Sequence, residues 1–137
     1  MKTRVFVLAA LAASSVSGIA MAAGTASIET SPQPAGDEIT VDSVTSNGPG
    51  FVVIHASDAE GKPIAPQSIG HQQVEDGQQQ DVEVSLDEET QSGDKVFVML
   101  HEDTGEEGEY EFGPGSTDVD PPMTADGKPV VVPMDIE

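Results

Sequence analysis

Cysteine and tryptophan are both missing from this 137-residue chain, tyrosine occurs once, and only five side chains are basic. Each absence excludes something. Without cysteine there is no disulfide staple, no thiolate metal site and no thiol for a lipid anchor. Two of the bases, Lys2 and Arg4, stand at the start, so the rest of the chain sets Lys62, Lys95 and Lys128 against 25 acids and has no arginine at all. A surface of that sign repels phosphate backbones and anionic lipid, which argues against a nucleic-acid partner and against electrostatic docking on a membrane. Long apolar runs are missing too. Val5–Ala13 is far short of the roughly 20 residues that a membrane-spanning helix requires, and no later segment comes close.

What is present begins with an address. Lys2 and Arg4 precede the apolar run, and small residues follow it up to Ala20-Met21-Ala22, the pattern of a cleaved export signal over residues 1–22. The expected location is therefore periplasmic or extracellular, with no membrane insertion of the processed chain. Residues 23–37 are small, polar and proline-containing, a flexible lead-in in which Ile28 can seed a short edge strand. Residues 38–137 are the expected folded domain. Its carboxylates repel one another in dilute buffer, but at molar salt the Debye length falls to about 3 Å and screens them, so the composition fits a protein adapted to a saline exterior.

The domain reads as all-β. Ile39 to Asp42 alternates apolar with polar, Phe51 to Ala56 is apolar on both faces, and Val82, Val84 and Leu86 alternate with Asp81, Glu83 and Ser85. A weaker strand is expected around Ser68–His71. Glycine, proline, asparagine and aspartate cluster between these stretches at Ser46–Gly50, Asp58–Pro63 and Glu75–Gly77 and mark turns. Asp87–Thr90 suggests one helical turn. Val96–Glu102 is predicted to form a hairpin with Glu109–Phe112 across an acidic loop. Near the end, Val130, Val132, Met134 and Ile136 share a face, with Pro133 marking an edge strand or a bulge. About seven short strands with no other helix predict an antiparallel Greek-key β-sandwich, immunoglobulin-like in architecture, though the tryptophan and cysteine pair of antibody domains are absent.

Taken in order, Gly50–His55, Ile69-Gly70, the Val82, Val84, Leu86 alternation, Met99, His101, Asp103-Thr104, Tyr110, Phe112, and Asp120, Pro122, Thr124, Gly127, Pro129-Val130 resemble a known family. It is a family of exported β-sandwich domains of unknown function, abundant in surface proteins of halophilic archaea and also found in bacteria. The resemblance covers about residues 39–132 and implies the fold, the exported address and the salt habit. It brings no activity. Met123 stands where the family usually carries an aromatic side chain, so its packing role is open.

Candidate sites gather around the stretch from Val96 to Phe112. His101 beside Glu102 and Asp103, with Tyr110 close behind and His55 in a matching strand, is the candidate interaction site. Phe51 to His55 and Phe97 to His101 share the pattern Phe-Val-apolar-apolar-His, which places phenylalanine and histidine on one strand face in each. Calcium takes six to eight oxygen ligands, and Asp103, Glu106, Glu109, Asp118 and Asp120 are the candidates to supply them. Imidazole with thioether suits copper, from His55, His71 and His101 with Met99, Met123 or Met134. Connectivity argues against that reading. If the two histidine-bearing strands pair antiparallel, their C-terminal ends lie at opposite ends of the sheet, and His55 and His101 are then expected to be too far apart to share an ion. No zinc-protease helix, Gly-x-Ser-x-Gly elbow or phosphate-binding glycine loop occurs, and abundant carboxylate pairs carry no acid-base signal of their own. The sequence thus predicts a non-catalytic interaction or structural module of the cell envelope or exterior. No resident cofactor is expected, and the envelope partner is not identified. A metal-binding module is the second reading.

Overall fold

Valine- and isoleucine-rich stretches pair as strands wherever their period-two pattern finds a partner of the same length. The computed structural model describes residues 25–137. The expected export signal over residues 1–22 lies outside them. Nine strands follow in order: β1 (Ser27–Glu29), β2 (Glu38–Ser46), β3 (Gly50–Ala56), β4 (Gly70–Val74), β5 (Gly77–Ser85), β6 (Lys95–Glu102), β7 (Thr124–Ala125), β8 (Lys128–Pro129) and β9 (Val131–Asp135). Seven of them build two antiparallel sheets, ordered β1-β2-β5 and β4-β3-β6-β9, and β7 with β8 makes a small separate hairpin. The chain changes sheets between β2 and β3, between β4 and β5, and again between β5 and β6, which is the Greek-key path of an immunoglobulin-like sandwich.

The inner faces close the main core. Ile39, Val41, Val44, Val82 and Val84 come from the three-stranded sheet, and Val52, Ile54, Val96, Val98, Leu100 and Met134 from the four-stranded one. Ile28 joins them from β1, paired with Val44 of β2, so the stretch expected as a lead-in does carry the short edge strand. Gly50 sits where a Cβ would run into the His101 carbonyl and the Met123 side chain, and only glycine allows that approach. Met123 itself is buried in the core with its sulfur 3.8 Å from the Ser46 hydroxyl. A flexible thioether fills the place that the family resemblance assigns to an aromatic.

Three local expectations meet different outcomes. Pro133 does lie on an edge strand, in β9 opposite Phe97. The helical turn over Asp87–Thr90 does not form. Thr90 is buried instead and bonds the Gly36 backbone, its N–H donating to the Gly36 carbonyl at 2.8 Å and its Oγ1 accepting from the Gly36 N–H at 3.0 Å. Nor does Glu109–Phe112 return as a strand. β6 pairs with β3 and β9, while the Glu111 N–H donates to the Asp120 carboxylate at 2.7 Å. A local carboxylate out-competes a sheet partner for that backbone, and residues 103–122 become a long flap.

Candidate functional site

Strand pleating gives the four-stranded sheet a second face. Phe51, Val53 and His55 of β3 alternate with the core residues Val52 and Ile54, and they are just as buried although they lie outside the main core cluster. Register places Phe51 opposite His101 and His55 opposite Phe97. The repeated Phe-Val-apolar-apolar-His pattern therefore has a geometric meaning: antiparallel pairing sets each histidine across from the other strand's phenylalanine, with Val53 facing Met99 between them.

The flap covers one end of this face with aromatic rings. Tyr110 lies against His71 at a centroid distance of 4.8 Å, Phe51 at 5.4 Å and His101 at 5.5 Å, and Phe112 meets His101 edge-on at 4.7 Å. In a chain with so few aromatics, most of them sit here, together with all three histidines. Burial is the main cause that pushes the Tyr110 phenol above its usual range. The nearby Ser68 hydroxyl pulls the other way without meeting hydrogen-bond geometry, so Tyr110 Oη has no partner.

Asp120 straps the flap down. It is fully buried with φ of 51°, a left-handed conformation that aspartate tolerates better than most residues. Its Oδ1 accepts the Thr104 N–H at 2.7 Å and the Gly105 N–H at 3.2 Å, and its Oδ2 accepts the Glu111 N–H. Its own N–H donates to the Thr104 hydroxyl at 2.9 Å, and its carbonyl accepts from His101 Nδ1 at 2.7 Å. Backbone donors thus replace the cation that a buried carboxylate would otherwise need.

The two buried histidines are held alike. His55 Nδ1 faces two carbonyls, Gln67 at 2.7 Å and Ile64 at 3.0 Å, and His101 Nδ1 faces the Asp120 carbonyl. Because carbonyls only accept, each Nδ1 carries a proton, and in a neutral ring that leaves the lone pair on Nε2. Neither Nε2 has a partner. Their ring centroids are 6.2 Å apart, which overturns the expectation that strand direction keeps them separate. The four-residue offset does separate their Cα atoms, but side chains in strands lean along the strand, and these two lean toward each other. Burial above all lowers the His101 pKa from 6.5 to about 4. The Asp120 carbonyl and carboxylate oppose that effect, and His55 adds to it.

The candidate interaction residues therefore divide. His55, His101 and Tyr110 meet in one cluster, with both histidine rings closed off from solvent, whereas Glu102 is exposed at the end of β6. Asp103 is half-buried, its Oδ2 accepting the Gly108 N–H at 2.8 Å while Oδ1 is unpartnered. Of the calcium candidates, Glu106, Glu109 and Asp118 are exposed and Asp120 spends both oxygens on backbone donors. The hydrogen bond that protonated Glu109 donates to Glu106, and the like charge of Glu106, raise the Glu109 pKa. Among the described residues no three histidine, aspartate or glutamate side chains gather as a metal-holding group. His71, named only for the copper reading, completes the cluster together with Phe112 and the Gln67 carbonyl, which were not singled out as site residues. The one signal that pointed to them was the scarcity of aromatics. Beside the Gln67 and Ile64 shelf a cleft of about 410 Å³ opens, also lined by Ala56, Ser68, Ile69 and Glu88.

Fold and site together define an immunoglobulin-like β-sandwich domain with a strapped flap over one sheet. The chain belongs to a family described as a domain of unknown function, DUF7282, whose model matches residues 26–137. It is similar to cell surface glycoprotein 2 of Haloarcula hispanica, 35% identical over 109 residues that cover 79% of this chain and 11% of that protein. It is also similar to cell surface glycoprotein 1 of the same organism, 33% identical over 109 residues with the same coverage. The chain thus spans about a tenth of the length of these relatives. No solved structure matches it. The relatives point to a place at the cell surface or exterior.

Proposed function

We propose that this protein is an exported, acidic, salt-adapted β-sandwich module with a non-catalytic structural or binding role at the cell envelope or exterior. The observation that carries the reading is its similarity to one segment of two much longer surface glycoproteins of a halophilic archaeon. The distribution of charge supports it. Asp81, Glu83, Glu88, Glu89 and most other acids stand on exposed positions, and the exposed Lys62–Glu60 contact at 3.8 Å is the one ion pair among the described residues. A carboxylate shell of this kind holds water and counterions where a neutral surface would precipitate. The relatives' carbohydrate does not carry over in its N-linked form, because the only asparagine, Asn47, is followed by Gly48-Pro49 and makes no Asn-x-Ser/Thr acceptor.

Expression of the full chain in a halophilic host, followed by fractionation and mass spectrometry of the N-terminus, tests the proposal. The expected product is outside the cytoplasmic membrane, is degraded by protease added to intact cells, and begins after Ala22. Retention in the cytosol with residues 1–22 attached would overturn it.

A further inference from the structure

We propose that His55 and His101 form a buried two-coordinate site for copper(I) beneath the flap of residues 103–122. The site is built from two side chains on neighbouring strands, each with no exposed surface. Each donates its Nδ1 proton to backbone carbonyls, and each leaves Nε2 without a partner. That is the arrangement of metal-binding imidazoles, in which a carbonyl on one ring nitrogen fixes the tautomer and orientation of the other. Distance agrees. With about 1.1 Å from ring centre to nitrogen and a metal–nitrogen bond of about 2.0 Å, two imidazoles facing each other across one ion have centres about 6.2 Å apart, and the observed separation is 6.2 Å.

Donor chemistry selects the ion. Among the described residues no third histidine or carboxylate joins the pair, which leaves zinc short of its usual four ligands and offers calcium or magnesium no oxygen cage. Two neutral nitrogens suit a d¹⁰ cation content with linear coordination, and imidazole is a good copper ligand. A single positive charge also costs less to bury than a double one. The Asp120 carboxylate supplies a nearby anion, close enough to favour positive charge on His101 and free of any lysine partner among the described residues. Met99 shares the face, paired with Val53 midway in register between the two histidine positions.

The test is an anaerobic titration of the full chain with copper(I) against a chromophoric copper(I) chelator, in molar sodium sulfate to avoid chloride complexes. One equivalent is expected to bind, with X-ray absorption showing two imidazole nitrogens at about 2.0 Å. His55→Gln and His101→Gln are each expected to weaken binding about 100-fold or more, while Glu83→Gln, at an exposed position of the other sheet, leaves it unchanged. Loss of all copper to the chelator, a first shell of sulfur or oxygen in the wild-type protein, or binding as tight as wild type by either variant would each overturn the site. Nitrogen-15 spectra of the metal-free wild-type protein add a readout that needs no variant. Both rings must be neutral with the proton on Nδ1, and a proton on either Nε2 sinks the proposal.

Discussion

His101 shows how much one residue's setting changes its chemistry. As the second-last residue of β6, at the junction with an acid-rich flap, it would be expected to gain a proton easily, yet burial holds its pKa at about 4. The unfolded chain takes up that proton as pH falls through 6.5, whereas the native protein resists until about 4, so the unfolded state binds more protons in between. Stability attributable to this group is therefore fully present above pH 6.5 and is lost as pH falls toward 4. Between pH 7 and 5.5, above the range in which ordinary carboxylates titrate, the loss is expected to be about 1 kcal/mol. Urea denaturation of wild-type protein and His101→Gln at the two pH values checks it. An equal pH slope in both proteins would show that His101 is not the source.

At the scale of elements, the flap is tied together internally by one side chain, Asp120, rather than by strand pairing. Asp120→Asn keeps the size of the side chain but removes the charge and turns one acceptor into a donor facing a backbone N–H. The expected cost is about 2–3 kcal/mol, from weakened charge-assisted hydrogen bonds and a newly mismatched donor. Hydrogen exchange locates the effect: the amides of Thr104, Gly105 and Glu111 should lose protection while those of β3 and β6 keep theirs. Uniform loss across the sandwich would mean that the flap is part of the global folding unit. Elements also separate what was legible from what was not. Phe51–Ala56, Val82–Leu86 and Val96–Glu102 declare themselves through apolar periodicity and appear in β3, β5 and β6, with β5 starting five residues earlier than its alternation shows, at Gly77. Glu109–Phe112 has a strand-like pattern and forms none, because its backbone donor finds a carboxylate that is close in space and nine residues away in the chain.

For the whole molecule the dominant quantity is charge. With 25 acids and five bases, repulsion among exposed carboxylates opposes the compact state in dilute buffer and is screened as the Debye length shrinks to about 3 Å near 1 M salt. The melting temperature is expected to rise by about 5–10 °C between 0.1 M and 2 M salt, equivalent to roughly 1–2 kcal/mol for a domain of this size. Circular dichroism melts across that range give the answer, and a flat profile would remove the electrostatic argument for salt adaptation. Nothing covalent reinforces the fold, since the chain has no cysteine. The two-layer core from Ile28 to Ile136 must therefore supply the cohesion.

The sequence by itself determined the class of fold, the restriction of Pro133 to an edge strand or a bulge, and the acidic surface, because period-two patterning, proline's missing donor and net charge are local or additive properties. It also singled out His55, His101, Tyr110 and Asp120 one at a time. Only the tertiary structure decided that these residues meet. The register of β3 on β6 sets the histidines on one face, their lean along the strands brings the rings together, and Asp120 folds a distant flap over them. None of these follows from spacing along the chain, since each depends on where a side chain points and on which backbone groups are left without a partner once the sheets have formed.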